Sequence, residues 1–376
     1  MQRPGVVIDL RDMNAIVAVN AQDLDCTCQP GVTREQLNSY LRDTGLHFPI
    51  DPGANATIGG MVATSASGTT AVRYGTMKEN VLSLEVVLAD GRAVRTGRRP
   101  RKTSAGYDLT HLFIGSEGTL GIVTEVCLRL HGIPEVTRSA TCAFSTLRAA
   151  IDAVIEIIQL GIVVTRVEFV DEFQVEASNR YSNLHKAVAP TLFFEFQGSQ
   201  AQTEEQIEQV REVVSGHGAA EFEWATLPEE RQRLWKARHQ ALAAAKNMRA
   251  GAEVLITDVA VPISRLADCI AETRQDIART SLYAPMVGHV GDGNFHVFFV
   301  IDPDDAAELQ QVEQLHERLA LRAIDMDGTC TGEHGIGVGK KVLLEHELGR
   351  DAVDVMRTIK LALDPSGLLN PNKIFD

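Results

Sequence analysis

Residues 140–170 read ATCAFSTLRAAIDAVIEIIQLGIVVTRVEFV, and their periodicity decides the fold class. Positions 140–144 are short and apolar, as a strand is. Positions 145–161 place Ser145 at one end and Gly161 at the other, the signature of a capped helix, and 166–170 is again strand-like. Glu156 and Gln159 break the apolar run 153–164, so the helix is amphipathic rather than membrane-spanning. The same order returns downstream: a strand at 191–196, a helix at 203–216 and a strand at 221–225. Two successive βαβ-like units predict an antiparallel sheet with helices on one face, an α+β, ferredoxin-like domain.

Upstream of residue 134 the rhythm is different, with much glycine and short strands. Residues 15–32 read as two strands and a turn. Thr33-Arg34-Glu35-Gln36 is a capping box that opens a helix ending near Gly45. Residues 84–88 and 93–94 flank an Asp90-Gly91 turn, a hairpin signal. Between these lies the stretch from Asp51 to Gly68, made almost wholly of small residues. Backbone N–H groups in such a stretch can approach a flat or phosphorylated ligand closely. Gly115-Ser116-Glu117-Gly118-Thr119-Leu120-Gly121-Ile122-Val123 repeats the character ahead of a strand. Either stretch alone is compatible with an ordinary loop; two in one domain point to a cofactor cradle.

The chemistry is concentrated in two Gly-rich segments further on: Gly288-His289-Val290-Gly291-Asp292-Gly293-Asn294-Phe295-His296 and Cys330-Thr331-Gly332-Glu333-His334-Gly335-Ile336-Gly337. Glycines let the chain turn tightly enough for His289 and His296 to converge, and the apolar run 297–300 anchors one side of the loop as a strand. Two imidazoles and a carboxylate suit zinc, manganese or ferrous iron and leave positions open for a substrate. Loop histidines with ordinary hydrogen bonds are the alternative, and the joint arrangement weighs against it. Arg238, beside Trp235 on a helix, is read either as a clamp for a carboxylate or as a surface arginine whose stem covers the ring.

Composition sets outer limits. The 376 residues carry a formal charge of −14, with 44% hydrophobic and 23% charged residues, as in a soluble globular protein of two or three domains. An acidic chain of this kind is not expected to bind nucleic acid or an anionic membrane surface. The basic cluster Arg92, Arg95, Arg98, Arg99, Arg101 and Lys102 reads first as a solvated loop. Six cysteines without a CxxC or CxxCH pattern suggest a reducing compartment and no covalent haem. Residues 6–10 read as a strand directly after the start, so no signal peptide is expected. A cytoplasmic protein, at most peripheral to an inner membrane and able to form a homodimer, is the expectation.

Taken with residues 71–76, 257–262 and Leu369-Asn370-Pro371, these segments make the chain resemble the flavin-dependent D-2-hydroxy-acid dehydrogenases of the vanillyl-alcohol-oxidase fold, and most closely the D-lactate dehydrogenases that pass electrons to a cytochrome. The resemblance spans nearly the whole chain. It implies that residues 1–133 are part of an FAD-binding domain, 134–337 a substrate cap with a metal site, and 338–376 a segment returning to the FAD domain. It places FAD against Pro52, Gly53, Thr57, Gly59, Gly60, Ser65, Gly68, Tyr74, Gly75, Glu117, Gly118, Gly121, Ile122, Val123 and Asn370. By the same resemblance His289, His296 and Glu333 hold a divalent metal, His334 is the catalytic base and Arg238 binds the substrate carboxylate.

The implied reaction is oxidation of a small D-2-hydroxy acid such as D-lactate. The hydroxyl proton passes to His334 as general base, and hydride passes to flavin N5. Electrons then leave to a separate acceptor: a cytochrome, a quinone or an electron-transfer flavoprotein. Relatives that prefer a dicarboxylate carry lysine where this chain has Ile256, and an apolar side chain there would leave a second carboxylate unpaired. Family members also begin with a further subdomain whose Gly-rich loop holds the pyrophosphate, and this chain is expected to start after it. That expectation keeps two alternatives open: a non-catalytic or partner-dependent subunit, and a dehydrogenase of glycolate or longer 2-hydroxy acids.

Overall fold

The computed structural model describes residues 5–220, 222–225 and 227–375. Its N-terminal part carries strands β1 (Ile16–Asn20), β2 (Asp25–Cys28), β3 (Leu46–His47), β4 (Val81–Val87), β5 (Ala93–Arg95), β6 (Ile122–Arg129) and β7 (His131–Gly132). Five of them form one antiparallel sheet in the order β1-β2-β6-β4-β5, while β3 and β7 make a short separate ladder. The helices of this part are α1 (Arg34–Leu41), α2 (Ile58–Thr64), α3 (Ala71–Tyr74), α4 (Met77–Asn80) and α5 (Leu109–Phe113). The capping box at Thr33 is present, and α1 ends in a single 3-10 turn at left-handed Gly45. Leu37 and Leu41 of α1 join Ile58, Met61 and Val62 of α2 in the core against this sheet. The hairpin of β4 and β5 is as expected.

The strand expected at residues 6–10 does not form. Residues 6–10 join no ladder among the described residues, Asp9 pairing only locally with Arg11, and Val6 is 91% exposed. Apolar, β-branched sequence favours a pleated surface only when a ladder is there to receive it.

The second part builds a larger sheet. In chain order it contains β8 (Val136–Ala143), α6 (Leu147–Gln159), β9 (Arg166–Val170), α7 (Glu172–Ser182), β10 (Thr191–Gly198), α8 (Gln200–Gly216) and β11 (Glu223–Ala225). These strands lie in the order β11-β8-β10-β9, all antiparallel, which is the fourth-first-third-second order of a ferredoxin-like unit. Glu221, where the last strand was expected to begin, lies outside the described residues. Helix α8 starts a turn before the expected Thr203 because Ser199 and Gln202 close a capping box.

A second unit repeats the pattern after α9 (Pro228–His239) and α10 (Ala241–Lys246). It runs β12 (Glu253–Ile256), β13 (Val259–Ala260), α11 (Leu266–Ile277), β14 (Met286–His289), β15 (Asn294–Ile301) and α12 (Ala306–Asp325). The Ala260–Thr329 bridge supplies its fourth strand position, so the order Thr329-β13-β15-β14 is again fourth-first-third-second. The two units fuse where β14 pairs β9, through Val287–Val170 and Gly288–Phe169.

Helices were expected on one face of this sheet, and they cover both. Leu192, Phe194 and Phe196 of β10 and Phe295, Val297 and Phe299 of β15 face α6, α8, α11 and α12. Phe193, Phe298 and Val300 turn the other way and meet α7, α9 and α10. Strands apolar at both alternations need two covers. Finally α13 (Lys341–Leu348) and α14 (Arg350–Leu363) carry the tail back to the N-terminal part, where Ile359 and Leu363 join its core and Lys360 Nζ donates to the Thr119 carbonyl at 2.8 Å.

Candidate active site

The second face of the large sheet is where the charged side chains meet. His296 is the third residue of β15, buried and on the same side as Phe298. His289 ends β14, and the turn between them relies on Gly293, which has φ +76 and no room for a Cβ beside the Val261 carbonyl. Glu333 arrives on the loop after Thr329. The Nε2 atoms of His289 and His296 lie 3.8 and 3.2 Å from Glu333 Oε1, and the three ligand atoms fall within 4.8 Å of one another.

Each imidazole is aimed by its other nitrogen. His289 Nδ1 donates to Glu168 Oε1 at 2.6 Å, and His296 Nδ1 donates to the Thr257 carbonyl at 2.8 Å. Both Nε2 atoms therefore face inward, and in the neutral form these bonds select the tautomer that a metal ligand needs. Glu333 is set by its second oxygen, which accepts from Ser67 Oγ at 2.9 Å. The residues thus fit one divalent cation. Without a cation the charges settle among themselves. Burial opposes the charge of His289, but Glu168 outweighs it and raises the imidazole pKa to about 9. Burial likewise opposes the charge of Glu333, yet its bond to His296 and the nearby His289 hold its pKa down to about 2.

The Glu333 loop hangs on Asp258, a fully buried carboxylate. Asp258 Oδ2 accepts from Thr331 Oγ1 at 2.8 Å and from the Glu333 and His334 N–H groups at 2.9 Å each, while Asn294 Nδ2 holds Oδ1 at 2.9 Å. Burial would raise its pKa, but His296, His334 and Lys340 with those N–H bonds keep it well below the usual carboxylate range. His334 stands beside the ligands with its ring stacked on His296, 5.5 Å between centroids and 15° between planes. Its side chain is 46% exposed, open to an incoming molecule.

Arg238 is not a surface arginine over Trp235. Its Nη2 lies 2.6 Å from Glu168 Oε2, and Arg166 is the guanidinium that sits over the Trp235 ring, at 5.3 Å. The Trp235 indole donates to Ser139 Oγ at 3.0 Å. Arg238 Nε is buried with no hydrogen-bond partner among the described residues.

Several positions expected to border the flavin have an internal reason for their residue type. A Cβ on Gly59 would stand 2.5 Å from Pro30, one on Gly68 2.5 Å from the Asp51 backbone, and one on Gly121 would overlap Val86. Thr57 caps α2 and receives the Gly60 N–H, while Gly75 turns at φ +74 against Glu79. Tyr74 donates to Gln197 Oε1 at 3.2 Å and meets His131 edge-on. Ile122 and Val123 pair with Val87 and Val86 of β4. Glu117 is already engaged: its carboxylate accepts the N–H groups of Ile336 and Gly337 at 2.8 and 3.0 Å, and its carbonyl accepts from Asn370. Gly53 has open space around it and a Cβ on Gly118 would meet only Asn370, whereas Ser65, in the left-handed region, gives its N–H to the Met61 and Val62 carbonyls.

Glu168, Ser67 and Asp258 were not recognised from sequence as part of the site. One signal was available for Glu168, a lone acid inside the apolar strand Arg166–Val170.

A family model described as "FAD linked oxidases, C-terminal domain" matches residues 133–374, and one described as "FAD binding domain" matches residues 1–97. The chain belongs to the FAD-linked oxidases. Within that family it is one of the FAD-dependent D-2-hydroxy-acid dehydrogenases. It is 54% identical to a probable mitochondrial D-lactate dehydrogenase of Danio rerio, over 99% of this chain and 76% of the relative. It is 46% identical to the mitochondrial D-lactate dehydrogenase [cytochrome] of Arabidopsis thaliana, over 98% of this chain but 65% of the relative's length. A Bacillus subtilis relative, glycolate oxidase subunit GlcD, is 34% identical over 99% of this chain and 79% of that protein. Among solved structures, 4-ethylphenol oxidase from Gulosibacter chungangensis superposes with a TM-score of 0.76 at 18% identity, covering 96% of this chain and 78% of that one, which shows a shared fold. No helix among the described residues of this FAD-linked oxidase is long and apolar enough to cross a membrane.

Proposed function

We propose that this chain oxidises D-lactate, or a closely similar small D-2-hydroxy acid, to the 2-oxo acid with FAD as the first electron acceptor. The observation that carries the reading is the convergence of His289 Nε2, His296 Nε2 and Glu333 Oε1 beside the exposed His334 ring, whose Nε2 lies 3.7 Å from the same Glu333 oxygen. When bound, FAD supplies the hydride acceptor, and a divalent cation such as zinc, manganese or ferrous iron supplies Lewis acidity toward the substrate oxygens. Every other task falls to the chain's own groups.

His334 Nε2 takes the hydroxyl proton as C2 loses hydride, so proton and hydride leave the same carbinol and the 2-oxo acid remains. Its backbone N–H, tied to Asp258, keeps the ring over His296. Arg238 receives the substrate carboxylate, a role supported by its place on the site face, where Glu168 takes one Nη and leaves the rest of the guanidinium as donors. Ile256 pairs with Phe298 on the same sheet face as His296, 37% exposed, so the far end of the substrate meets an apolar wall. That wall favours a methyl over a second carboxylate.

A cytochrome is the acceptor we propose for the electrons, in line with the names of the plant and yeast relatives. Those mitochondrial names favour a compartment holding that acceptor over the general cytoplasm, and all six cysteines are free and buried. We place the boundaries of the FAD-binding part, the cap and the returning segment at residues 1–133, 134–337 and 338–376.

The test is the visible spectrum of the FAD-loaded chain on anaerobic addition of D-lactate. Bleaching is expected, prevented by His334→Ala and by a chelator and restored by added Zn2+ or Mn2+. A loaded flavin that D-lactate leaves oxidised would overturn the assignment.

A further inference from the structure

Glu168 stands between the two halves of the candidate site. It lies in the middle of β9, its side chain has no exposed surface, and its two oxygens face different tasks. Oε1 accepts from His289 Nδ1 at 2.6 Å and Oε2 pairs with Arg238 Nη2 at 2.6 Å. A buried carboxylate is costly unless paired, and this one has a hydrogen bond on Oε1 and an ion pair without hydrogen-bond geometry on Oε2. Neither partner is there to stabilise the sheet. His289 is one of the three converging ligand residues, and Arg238 is the guanidinium with a buried donor left over.

The strand register explains how one side chain reaches both. β9 pairs β14 through Val170–Val287 and Phe169–Gly288, which brings Glu168 alongside His289 at the seam where the two ferredoxin-like units fuse. Arg238 comes from α9, laid on the same sheet face through Leu234 and Trp235. Strand β9 belongs to the first unit and His289 to the second.

We propose that Glu168 is a positioning residue shared by the cation and substrate subsites. It fixes the tautomer and angle of His289 for the cation and the direction of Arg238 for the carboxylate. This rests on the reading of His289, His296 and Glu333 as cation ligands and extends it to a residue outside that set. Because one rigid carboxylate serves both, a loss at position 168 reaches cation affinity and substrate KM together, whereas a loss at Arg238 reaches KM alone.

The test measures Zn2+ and Mn2+ affinity of the full chain by competition with a chromophoric chelator, together with KM and kcat for D-lactate. Glu168→Gln is expected to weaken cation binding roughly 10- to 100-fold, the range for removing an outer-shell partner of a ligating histidine, and to raise KM more than it lowers kcat. Arg238→Gln should leave cation affinity within about threefold while raising KM. The double variant Glu168→Gln with Arg238→Gln leaves no buried charge unpaired, so it reports even where the single variant folds poorly. Weak cation binding in the double variant supports the proposal. Wild-type affinity there would mean that the orphaned arginine caused the loss, and would overturn it. Wild-type affinity in Glu168→Gln also overturns it. A wild-type chain that binds neither cation would sink the metal reading itself, and the proposal with it.

Discussion

Ser67 Oγ donates to Glu333 Oε2 at 2.9 Å, so a residue of the N-terminal part holds a candidate cation ligand of the cap across 266 positions of chain. The oxygen it leaves free, Oε1, is the one that faces His289 and His296. Ser67→Ala removes a donor to an ionised acceptor, a contact of about 1.5–3 kcal/mol. Cation affinity should fall by about tenfold with the melting temperature little changed, read by chelator competition and calorimetry. An unchanged affinity would show that Glu333 is held by its loop alone.

The proposed base can be separated from the proposed binding groups. His334→Gln should leave FAD and cation content intact and slow flavin reduction by D-lactate by roughly 100- to 10,000-fold, the range for losing a general base. Stopped-flow absorbance of the loaded enzyme checks this, and a variant as fast as the wild type would move the proton to another group.

The two parts of the chain are also joined by Arg166, which pairs with Asp51 at 2.9 Å and with Glu195 at 3.4 Å. All three are largely buried, and burial pushes the Glu195 carboxyl up despite Arg166. Arg166→Met removes the guanidinium these two acids share, a buried-pair loss of about 3–5 kcal/mol, with Thr69, Thr70 and Gln197 still donating to them. Denaturant melts should show it, whereas exposed Arg92→Met, at the Asp90 pair, should change stability by no more than about 1 kcal/mol.

His131 gives the fold a pH dependence. Burial, with Arg129 and His47 nearby, lowers its pKa to about 4, against an ordinary value of about 6.5 for the unfolded chain. As the pH falls between those values the unfolded chain takes up a proton that the native ring refuses, so stability is lost on acidification through that window. His47, lowered first by burial, acts in the same direction. Urea midpoints from pH 7 to 4 should fall with a slope that His131→Gln reduces, by up to one proton. Equal slopes would show that His131 is protonated in the native state.

Substrate choice should turn on Ile256. Ile256→Lys puts a cation on the site face beside Phe298, and kcat/KM for D-2-hydroxyglutarate relative to D-lactate should rise by about tenfold, the scale of one charge-assisted bond. No change in that ratio would place the far end of the substrate elsewhere.

Much was legible before any coordinates. The 3.6-residue period of 147–159 and the alternation of strands with helices led to the α+β, ferredoxin-like cap, and the capping box at Thr33 led to α1. The Gly-rich segments around His289 and Glu333 led to the three candidate ligands, which the fold brings together, because the side chains that bind metals are few. Other features required contacts between distant segments. Helices cover both faces of the large sheet because Phe193 and Phe194 point opposite ways, and no window of sequence says what lies over each. Glu117 reads as a cradle residue until its carboxylate is seen closed by the Ile336 and Gly337 amides.

The sequence by itself determined which groups are available: two histidines, an acid, a base and an arginine on defined strands, turns and helices, set by local propensity and backbone sterics. Only the tertiary structure decided how they are aimed. Glu168, Ser67 and Asp258 act through hydrogen bonds and an ion pair to residues between 36 and 266 positions away. Such bonds exist only after the β9–β14 seam and the junction of the two parts have formed, since a hydrogen bond depends on distance and angle in space rather than on order along the chain.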